Sequence, residues 1–253
     1  MVPAASVPIF LLLFWQGDDY QRGVAAFQQG RFAEAAPLLE RAAAADPNNA
    51  QVWKALGVLH AAQGDTRAAA DPFARACRLN EKLLDACYYH GRALYTLNQF
   101  DAALPSLEKA LRHDPVKSRA ETAIAESLEG LGRRDDAERR FQSALARRDP
   151  FEPNARAAYA RFLLRDGRAA AAIETLTPAT PKSAEIHYQL GRAHQQLDHL
   201  PDALRHLEQS VQLDPRRPAA RLLLARVLRR LNRPAEADAQ EAAARQFSST
   251  PNN

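Results

Sequence analysis

The sequence predicts an all-α fold, a right-handed superhelical solenoid of stacked antiparallel helix pairs. The first observation is a small residue that returns at one position of a repeating pattern: Gly23, Gly57, Gly91, Ala125, Ala160, Gly191 and Ala225. The second is a series of alanines: Ala35, Ala69, Ala103, Ala137, Ala172, Ala203 and Ala237. Both series advance by 34, 34, 34, 35, 31 and 34 residues, so they share one register. Units that repeat at this period cannot bury their apolar faces alone and must stack against one another.

The first and second helices of each unit are visible as two apolar patterns. In the second repeat, Trp53, Leu56 and Leu59 recur at helical spacing. After a short break, Ala69 and Phe73 resume the same spacing. Each repeat is therefore predicted to be two helices joined by a tight turn.

The turn and the end of each repeat carry their own signals. Gly64 supplies the left-handed backbone that ends a helix, and Asp65 is suited to cap the next one. The other repeats place residues that tolerate this geometry at the same turn: Gly30, Asn98, Gly132, Gly167, Asp198 and Asn232. Three repeats then close with a proline that stops the second helix, at Asp46-Pro47, Asp114-Pro115 and Asp214-Pro215.

These residues resemble the tetratricopeptide repeat family. Its pattern places a large residue, Leu-Gly, an aromatic or leucine, Ala, a bulky residue, Ala and Pro. The second repeat matches it with Trp53, Leu56-Gly57, Ala69, Phe73 and Ala76, and the sixth with Leu190-Gly191, Ala203, Leu207 and Pro215. The two end repeats depart from it with polar residues, Asp19 and Arg22 in the first and Glu241 in the seventh. Terminal repeats need such polar faces because nothing stacks over them.

The resemblance covers about Gln16 to Phe247 and divides the chain into three parts. Residues 1–15 form an apolar segment, residues 16–247 form the array, and residues 248–253 are expected to be a disordered tail. The predicted repeats are 16–49, 50–83, 84–117, 118–152, 153–183, 184–217 and 218–247. This leaves no space for a catalytic domain, so we expect a non-enzymatic protein without catalytic residues or a cofactor.

The fifth repeat is the irregular one. Its second helix should run to about Ala179, but Pro178 and Pro181 are expected to shorten it.

The apolar run from Val7 to Trp15 is too short to span a bilayer but has the length of a signal peptide core. No basic residue precedes it and no small-residue cleavage site follows it before Asp18. We favour export to a periplasmic or other extracytoplasmic compartment. The alternatives are a cytoplasmic protein with a misassigned start, or an apolar flap over the first repeat.

The two cysteines, Cys77 and Cys87, lie either side of the turn that joins the second and third repeats. They are expected to face each other on antiparallel helices. We favour two buried apolar thiols, and a disulfide is the alternative in an oxidising compartment.

Four histidines of the sixth repeat, His187, His194, His199 and His206, invite a metal interpretation. His187 and His194 occupy repeat positions that normally pack inside the unit, so we expect no metal site. Metalloprotease, phosphate-loop and nucleophile-elbow motifs are absent from the sequence.

The resemblance implies a concave groove lined by the first helices. Carrying over the groove positions gives the candidate partner-binding residues Tyr20, Lys54, Tyr88, Arg92, Tyr95, Arg161, Arg165, Tyr188, Arg192, Arg226, Arg229 and Arg230. Four arginines directly follow the small residue, which favours an acidic peptide or a C-terminal carboxylate as ligand: Arg92, Arg161, Arg192 and Arg226. The alternative is that they are solvated arginines on exposed helix faces. The family's chaperone-tail clamp needs Asn where this chain has Val58, Arg92 and Glu126, so that specificity is not expected.

Three functions remain open. The first is a protein-interaction adaptor that holds a peptide or partner helix in the groove. The second is an accessory subunit of an envelope or secretion assembly, with the N-terminal segment as signal or anchor. The third is RNA or DNA binding through Arg216–Arg233, which carries seven arginines and no carboxylate. A net charge of only +4, and the lack of aromatic residues there to stack on bases, count against nucleic acid.

Overall fold

The computed structural model describes residues 9–83, 85–178 and 183–248, which form fourteen α-helices and no strand. In chain order the helices are α1 (Ile9–Gln28), α2 (Phe32–Ala45), α3 (Ala50–Ala62), α4 (Thr66–Leu79), α5 (Ala86–Thr96), α6 (Phe100–His113), α7 (Lys117–Gly130), α8 (Arg134–Ala146), α9 (Glu152–Arg165), α10 (Ala169–Leu176), α11 (Ala184–Gln196), α12 (Leu200–Leu213), α13 (Pro218–Arg230) and α14 (Pro234–Ser248). The predicted all-α fold of helix pairs is confirmed.

The chain divides into two compact units, which the sequence did not indicate. They are the N-terminal unit (Met1–Arg140) and the C-terminal unit (Phe141–Asn253). In the N-terminal unit, Leu39 and Leu59 belong to an apolar core between neighbouring helix pairs. In the C-terminal unit, Leu207 and Leu224 belong to a similar apolar core.

The turns inside the helix pairs have the predicted left-handed backbone. Gly64 has φ +80° and Asn98 has φ +59°, a region that favours glycine and tolerates asparagine. Positive φ is also found at Gly30, Gly132, Gly167, Asp198 and Asn232. Asp65 caps α4 by accepting a hydrogen bond from the Ala68 amide at 2.8 Å. The local turn chemistry therefore fixes where each first helix ends.

The recurring small residue marks the closest approach between the two helices of a pair. A Cβ atom on Gly57 would lie 2.5 Å from the Phe73 ring, and one on Gly191 would lie 2.5 Å from Leu207 Cγ. No real Cβ atom tolerates such a distance. Glycine at these positions therefore lets the second helix place a large side chain against the backbone of the first.

The expectation of two free thiols is wrong, because Cys77 and Cys87 form a disulfide. Cys77 lies in the last turn of α4 and Cys87 in the first turn of α5, with their Cα atoms 4.7 Å apart. The predicted arrangement, facing each other across the turn between repeats, is what brings the sulfurs into bonding distance.

Two segments of the array are irregular, the second helix of the fifth repeat and the start of the first repeat. Helix α10 has eight residues and ends at Leu176, as the prolines predicted, although Pro181 lies outside the described residues. Helix α1 begins at Ile9, so the second part of the apolar run is continuous with the first repeat. Within the described part of the chain, no helix has the length and apolarity needed to cross a bilayer. Export and the apolar flap stay predictions, and residues 1–8 and 249–253 lie outside the described ranges.

Candidate interaction surface

The first helices of successive repeats provide the candidate surface in each unit. In the N-terminal unit α1 contacts α3 and α5 contacts α7, and in the C-terminal unit α11 contacts both α9 and α13. We call the solvent-facing side of α1, α3, α5 and α7, and separately of α9, α11 and α13, the first-helix face of each unit. All twelve residues predicted to bind a partner lie on these seven helices.

The N-terminal unit holds five predicted residues, all half-buried: Tyr20, Lys54, Tyr88, Arg92 and Tyr95. Arg92 forms an ion pair within the protein, because its Nη1 donates to Glu126 Oε2 at 2.5 Å. Its guanidinium carbon also lies 4.8 Å from the centre of the Tyr95 ring. Burial acts to lower the pKa of Arg92, but the Glu126 carboxylate, together with Tyr88 and Tyr95, outweighs burial and raises that pKa. Arg92 is therefore a neutralised structural cation.

A second ion pair of the N-terminal unit was missed by sequence reasoning. Arg119 on α7 donates to Asp85, which precedes α5, and to the buried Asp114. Its guanidinium also lies 4.3 Å from the centre of the Tyr88 ring. Asp85 and Arg119 are 34 residues apart, as are Arg92 and Glu126. The sequence does contain a signal for such bridges: residues of opposite charge occupy the same position in two successive repeats.

The C-terminal unit holds the other seven predicted residues, and three of them form one register. Arg161, Arg192 and Arg226 follow the small residue of α9, α11 and α13. Arg192 donates to Gln189 Oε1, a neutral acceptor, at 3.0 Å. Arg226 is exposed. Arg165, one turn after Arg161, is also exposed.

The last two predicted arginines engage acidic side chains of their own unit. Arg229 donates to Asp238 and Glu241 on α14, and Arg230 donates to Asp198. Tyr188, also predicted, lies 4.5 Å from the Arg217 guanidinium, which pairs with Glu185. Arg229 and Arg230 are thus already paired with carboxylates of the C-terminal unit.

The arginine-rich segment Arg216–Arg233 is largely committed to the protein itself. Five of its seven arginines hydrogen bond to acceptor side chains: Arg217 to Glu185, Arg221 to Gln240, Arg229 to Asp238 and Glu241, Arg230 to Asp198, and Arg233 to Glu236. These bonds reduce the charge that this segment presents to phosphates.

The first helices of the two units differ in net charge. Helices α9, α11 and α13 carry eight arginines and two glutamates, a net +6. Helices α1, α3, α5 and α7 carry five basic and five acidic residues, a net charge of zero. Of the two sets of first helices, that of the C-terminal unit is therefore the more basic, although Asp198, Asp238 and Glu241 pair with two of its arginines.

A pocket of about 380 Å³ opens between α3, α4 and α5 in the N-terminal unit. Its lining is mainly apolar and includes Val58, Ala62, Phe73 and Ala93. The pocket belongs to the N-terminal unit, whose first helices carry no net charge.

The histidines of the sixth repeat pack as a cluster. His187 Nδ1 and His206 Nδ1 are 3.1 Å apart, and His194 stacks on His206 with ring centres 5.4 Å apart. Searched over the described residues, His, Cys, Asp and Glu form no group of three or more that converges to hold a metal ion. Burial lowers the pKa of His206 to about 4, with the charges of His187, Arg205 and His194 acting in the same direction.

This cluster predicts a stability that depends on pH. Because the folded state keeps His206 neutral, its contribution is complete above the ordinary pKa of 6.5 and is lost as the pH falls from 6.5 towards 4. We expect the urea midpoint of the wild-type chain to fall more steeply over this range than that of His206→Gln. Parallel midpoint curves for the two proteins would contradict the prediction.

Comparisons with known proteins agree with this geometry. A tetratricopeptide repeat model matches residues 20–82 and 188–251, half of the chain, and a second matches residues 94–162. A model described as anaphase-promoting complex, cyclosome, subunit 3 matches residues 132–210. None of these three is an enzyme family.

Individual relatives are distant. Anaphase-promoting complex subunit 3 of Schizosaccharomyces pombe (strain 972 / ATCC 24843) is 26% identical over 125 residues, which is 49% of this chain and 19% of that protein. A tetratricopeptide repeat protein from Parabacteroides merdae ATCC 43184 is 18% identical with a TM-score of 0.65, covering 84% of each chain. A chain of the APC/C hetero-tetramer Cut9-Hcn1 is 18% identical with a TM-score of 0.63, covering 86% of this chain and 45% of that one. The chain thus spans about a fifth of its curated relative, and the two structures show the fold alone. With repeat models matching half of its residues and every helix pair turning at the predicted residue, the chain belongs to the tetratricopeptide repeat family.

Proposed function

We propose that this protein is a non-catalytic interaction scaffold that holds an acidic, extended segment of a partner protein on the first-helix face of its C-terminal unit. The observation that carries the proposal is the excess of eight arginines over two glutamates on α9, α11 and α13, set against a balance of five basic and five acidic residues on the first helices of the N-terminal unit. Arg229 and Arg230 are paired within the unit, so Arg161, Arg192 and Arg226 are the arginines that we assign to the ligand. Guanidinium groups suit carboxylates because they donate two parallel hydrogen bonds.

The spacing of the arginine register specifies the ligand further. Packed helices lie about 8–10 Å apart, so Arg161, Arg192 and Arg226 recur at about that interval along the face. An extended polyproline II segment advances about 3.1 Å per residue with three residues per turn, so a carboxylate at every third residue stays on one face and keeps step with them. The proposed ligand is therefore an extended segment with Asp or Glu at every third position.

The match to a subunit of the anaphase-promoting complex supports an interaction role, since that protein is named as part of an assembly. It does not identify the partner of this chain, which spans 19% of that protein.

The test is binding of a fluorescent twelve-residue peptide with Glu at every third position and Ser between. Reversing Arg161, Arg192 and Arg226 to Glu is expected to weaken binding at least about 30-fold, or about 2 kcal/mol. The Gln version of the peptide should bind as poorly to the wild-type protein. Fluorescence anisotropy at physiological salt measures both, because surface charge effects are exaggerated at low salt.

The matched control reverses three arginines on the second-helix side of the same unit, Arg168, Arg205 and Arg233, and changes the net charge equally. We expect this variant to bind within about threefold of the wild type. Equal losses in both variants would show a general charge effect, and the proposed face would be wrong.

We also propose that the protein works in an oxidising compartment outside the cytoplasm. The Cys77–Cys87 disulfide supports this location, because disulfides persist where thiols are not kept reduced. It agrees with the signal-like segment and with an accessory role in an envelope or secretion assembly. Alkylation of free thiols in intact cells, followed by mass spectrometry, tests it. Labelled Cys77 and Cys87 in a soluble cytoplasmic fraction would contradict it.

A further inference from the structure

The pocket between α3, α4 and α5 is not explained by the arginine register. Phe73, Ala69 and Ala93 are buried and form its inner part, while Ala62 and Thr96 are exposed at its edge. The small alanines leave space of about 380 Å³, within the range of pockets that hold ligands.

The charge at the pocket defines what it can accept. Among the described residues that line it, Arg92 alone is charged, and Glu126 on α7 neutralises it at 2.5 Å. An ionised group of a ligand would lose water here without gaining an unpaired opposite charge. The pocket therefore favours an uncharged group as its occupant.

The size and lining define its shape. Leucine, phenylalanine or tryptophan side chains fit in a pocket of this volume, and aromatic rings have favourable partners in Phe73 and Tyr89. Those two rings lie 5.3 Å apart, with one on α4 and the other on α5. The pocket thus depends on the relative position of these two helices.

The disulfide fixes that position. Cys77 lies one helical turn after Phe73 on α4, and Cys87 lies two residues before Tyr89 on α5. The covalent bond therefore joins the two helices that carry the opposing rings.

We propose that this pocket, which we name the anchor pocket (Val58, Ala62, Ala69, Phe73, Tyr89, Ala93), binds a bulky uncharged apolar side chain of a protein partner, and that the Cys77–Cys87 disulfide holds it open. The inference rests on the proposed scaffold function and adds a contact of different chemistry from the acidic segment. The disulfide makes this contact conditional on an oxidising environment.

The first test uses uncharged twelve-residue Ser-Gly peptides with a central Trp, Leu or Ser. The Trp and Leu peptides are expected to bind at least about tenfold more tightly than the Ser peptide. Ala62→Trp fills the exposed edge of the pocket and is expected to abolish this difference. Ala102→Trp, at an exposed alanine of α6, is the matched control and should keep it. Equal binding of the three peptides, or an unchanged preference in Ala62→Trp, would overturn the proposal.

The second test addresses the disulfide. Reducing the wild-type protein, or replacing Cys77 and Cys87 with Ser, is expected to weaken binding of the Trp peptide at least about threefold. The acidic peptide is measured on the same samples, and its unchanged binding shows that the C-terminal unit is intact. Tight Trp-peptide binding after reduction would show that the disulfide does not hold the pocket.

Separate peptides keep the two proposals distinguishable. If the Trp peptide binds as predicted and the acidic peptide does not, the proposed function fails and the anchor pocket stands as a ligand site. If only the acidic peptide binds, the anchor pocket fails and the proposed function stands.

Discussion

Replacing Gly57 with valine is expected to lower the free energy of unfolding by about 3 kcal/mol, the upper end of the usual cost of overpacking a core. The added Cβ would lie 2.5 Å from the Phe73 ring, and that ring is 3% exposed. Either α4 must move away from α3 or the ring must leave its rotamer. Urea unfolding followed by circular dichroism measures the loss.

The control for this prediction is Ala61→Val, which adds a β-branched residue to an exposed position of the same helix. It should cost only the helix propensity of valine, about 0.5 kcal/mol. A double-mutant cycle with Gly57→Ala and Phe73→Ala is expected to show coupling of about 1 kcal/mol or more, since removing the ring makes room for the methyl group. Equal stability of Gly57→Val and Ala61→Val would contradict the close approach of the two helices.

Removing the disulfide by the double substitution Cys77→Ser and Cys87→Ser is expected to lower the free energy of unfolding by about 2–3 kcal/mol. The bond closes a loop with a sequence separation of 10, and without it the unfolded chain gains conformational freedom. The urea midpoint of the wild-type protein should therefore fall when a reductant is added.

The double serine variant is its own control, because it has no thiol left and the chain contains only two cysteines. Reductant should leave its urea midpoint unchanged. If the reductant frees both thiols and the urea midpoint of the wild-type protein does not change, the bond contributes nothing to stability.

The fold was predictable because the information is local and repeated. Gly64 and Asn98 each end a helix through their own backbone preference, whatever the rest of the chain does. The 34-residue step then places every second helix against its first, so one repeat read correctly predicts the others.

The electrostatics of the site were only partly predictable. The position of Arg92 on its helix follows from the repeat, but its charge is cancelled by Glu126 in the next repeat. Sequence reasoning treated each arginine alone and so missed contacts that join successive repeats. The pairing is nevertheless encoded as opposite charges 34 residues apart, which distinguishes Arg92 from Arg192.

The disulfide and the pocket depend on distances that periodicity does not supply. Facing cysteines either pack as thiols or bond, and the choice depends on a Cα separation that the sequence leaves open, here 4.7 Å. The pocket is lined by the small residues Ala62 and Ala93 beside Phe73. Because alanine is frequent throughout this chain, the sequence does not show whether the space beside these alanines is empty or filled by neighbouring side chains.

The central claim, that the partner lies on the first helices of the C-terminal unit, is tested most directly by backbone hydrogen exchange with and without the acidic peptide. The account predicts slower exchange in α9, α11 and α13, with α1, α3, α5 and α7 unchanged. Slower exchange only in the first helices of the N-terminal unit, or none in either set at a saturating peptide concentration, would contradict it.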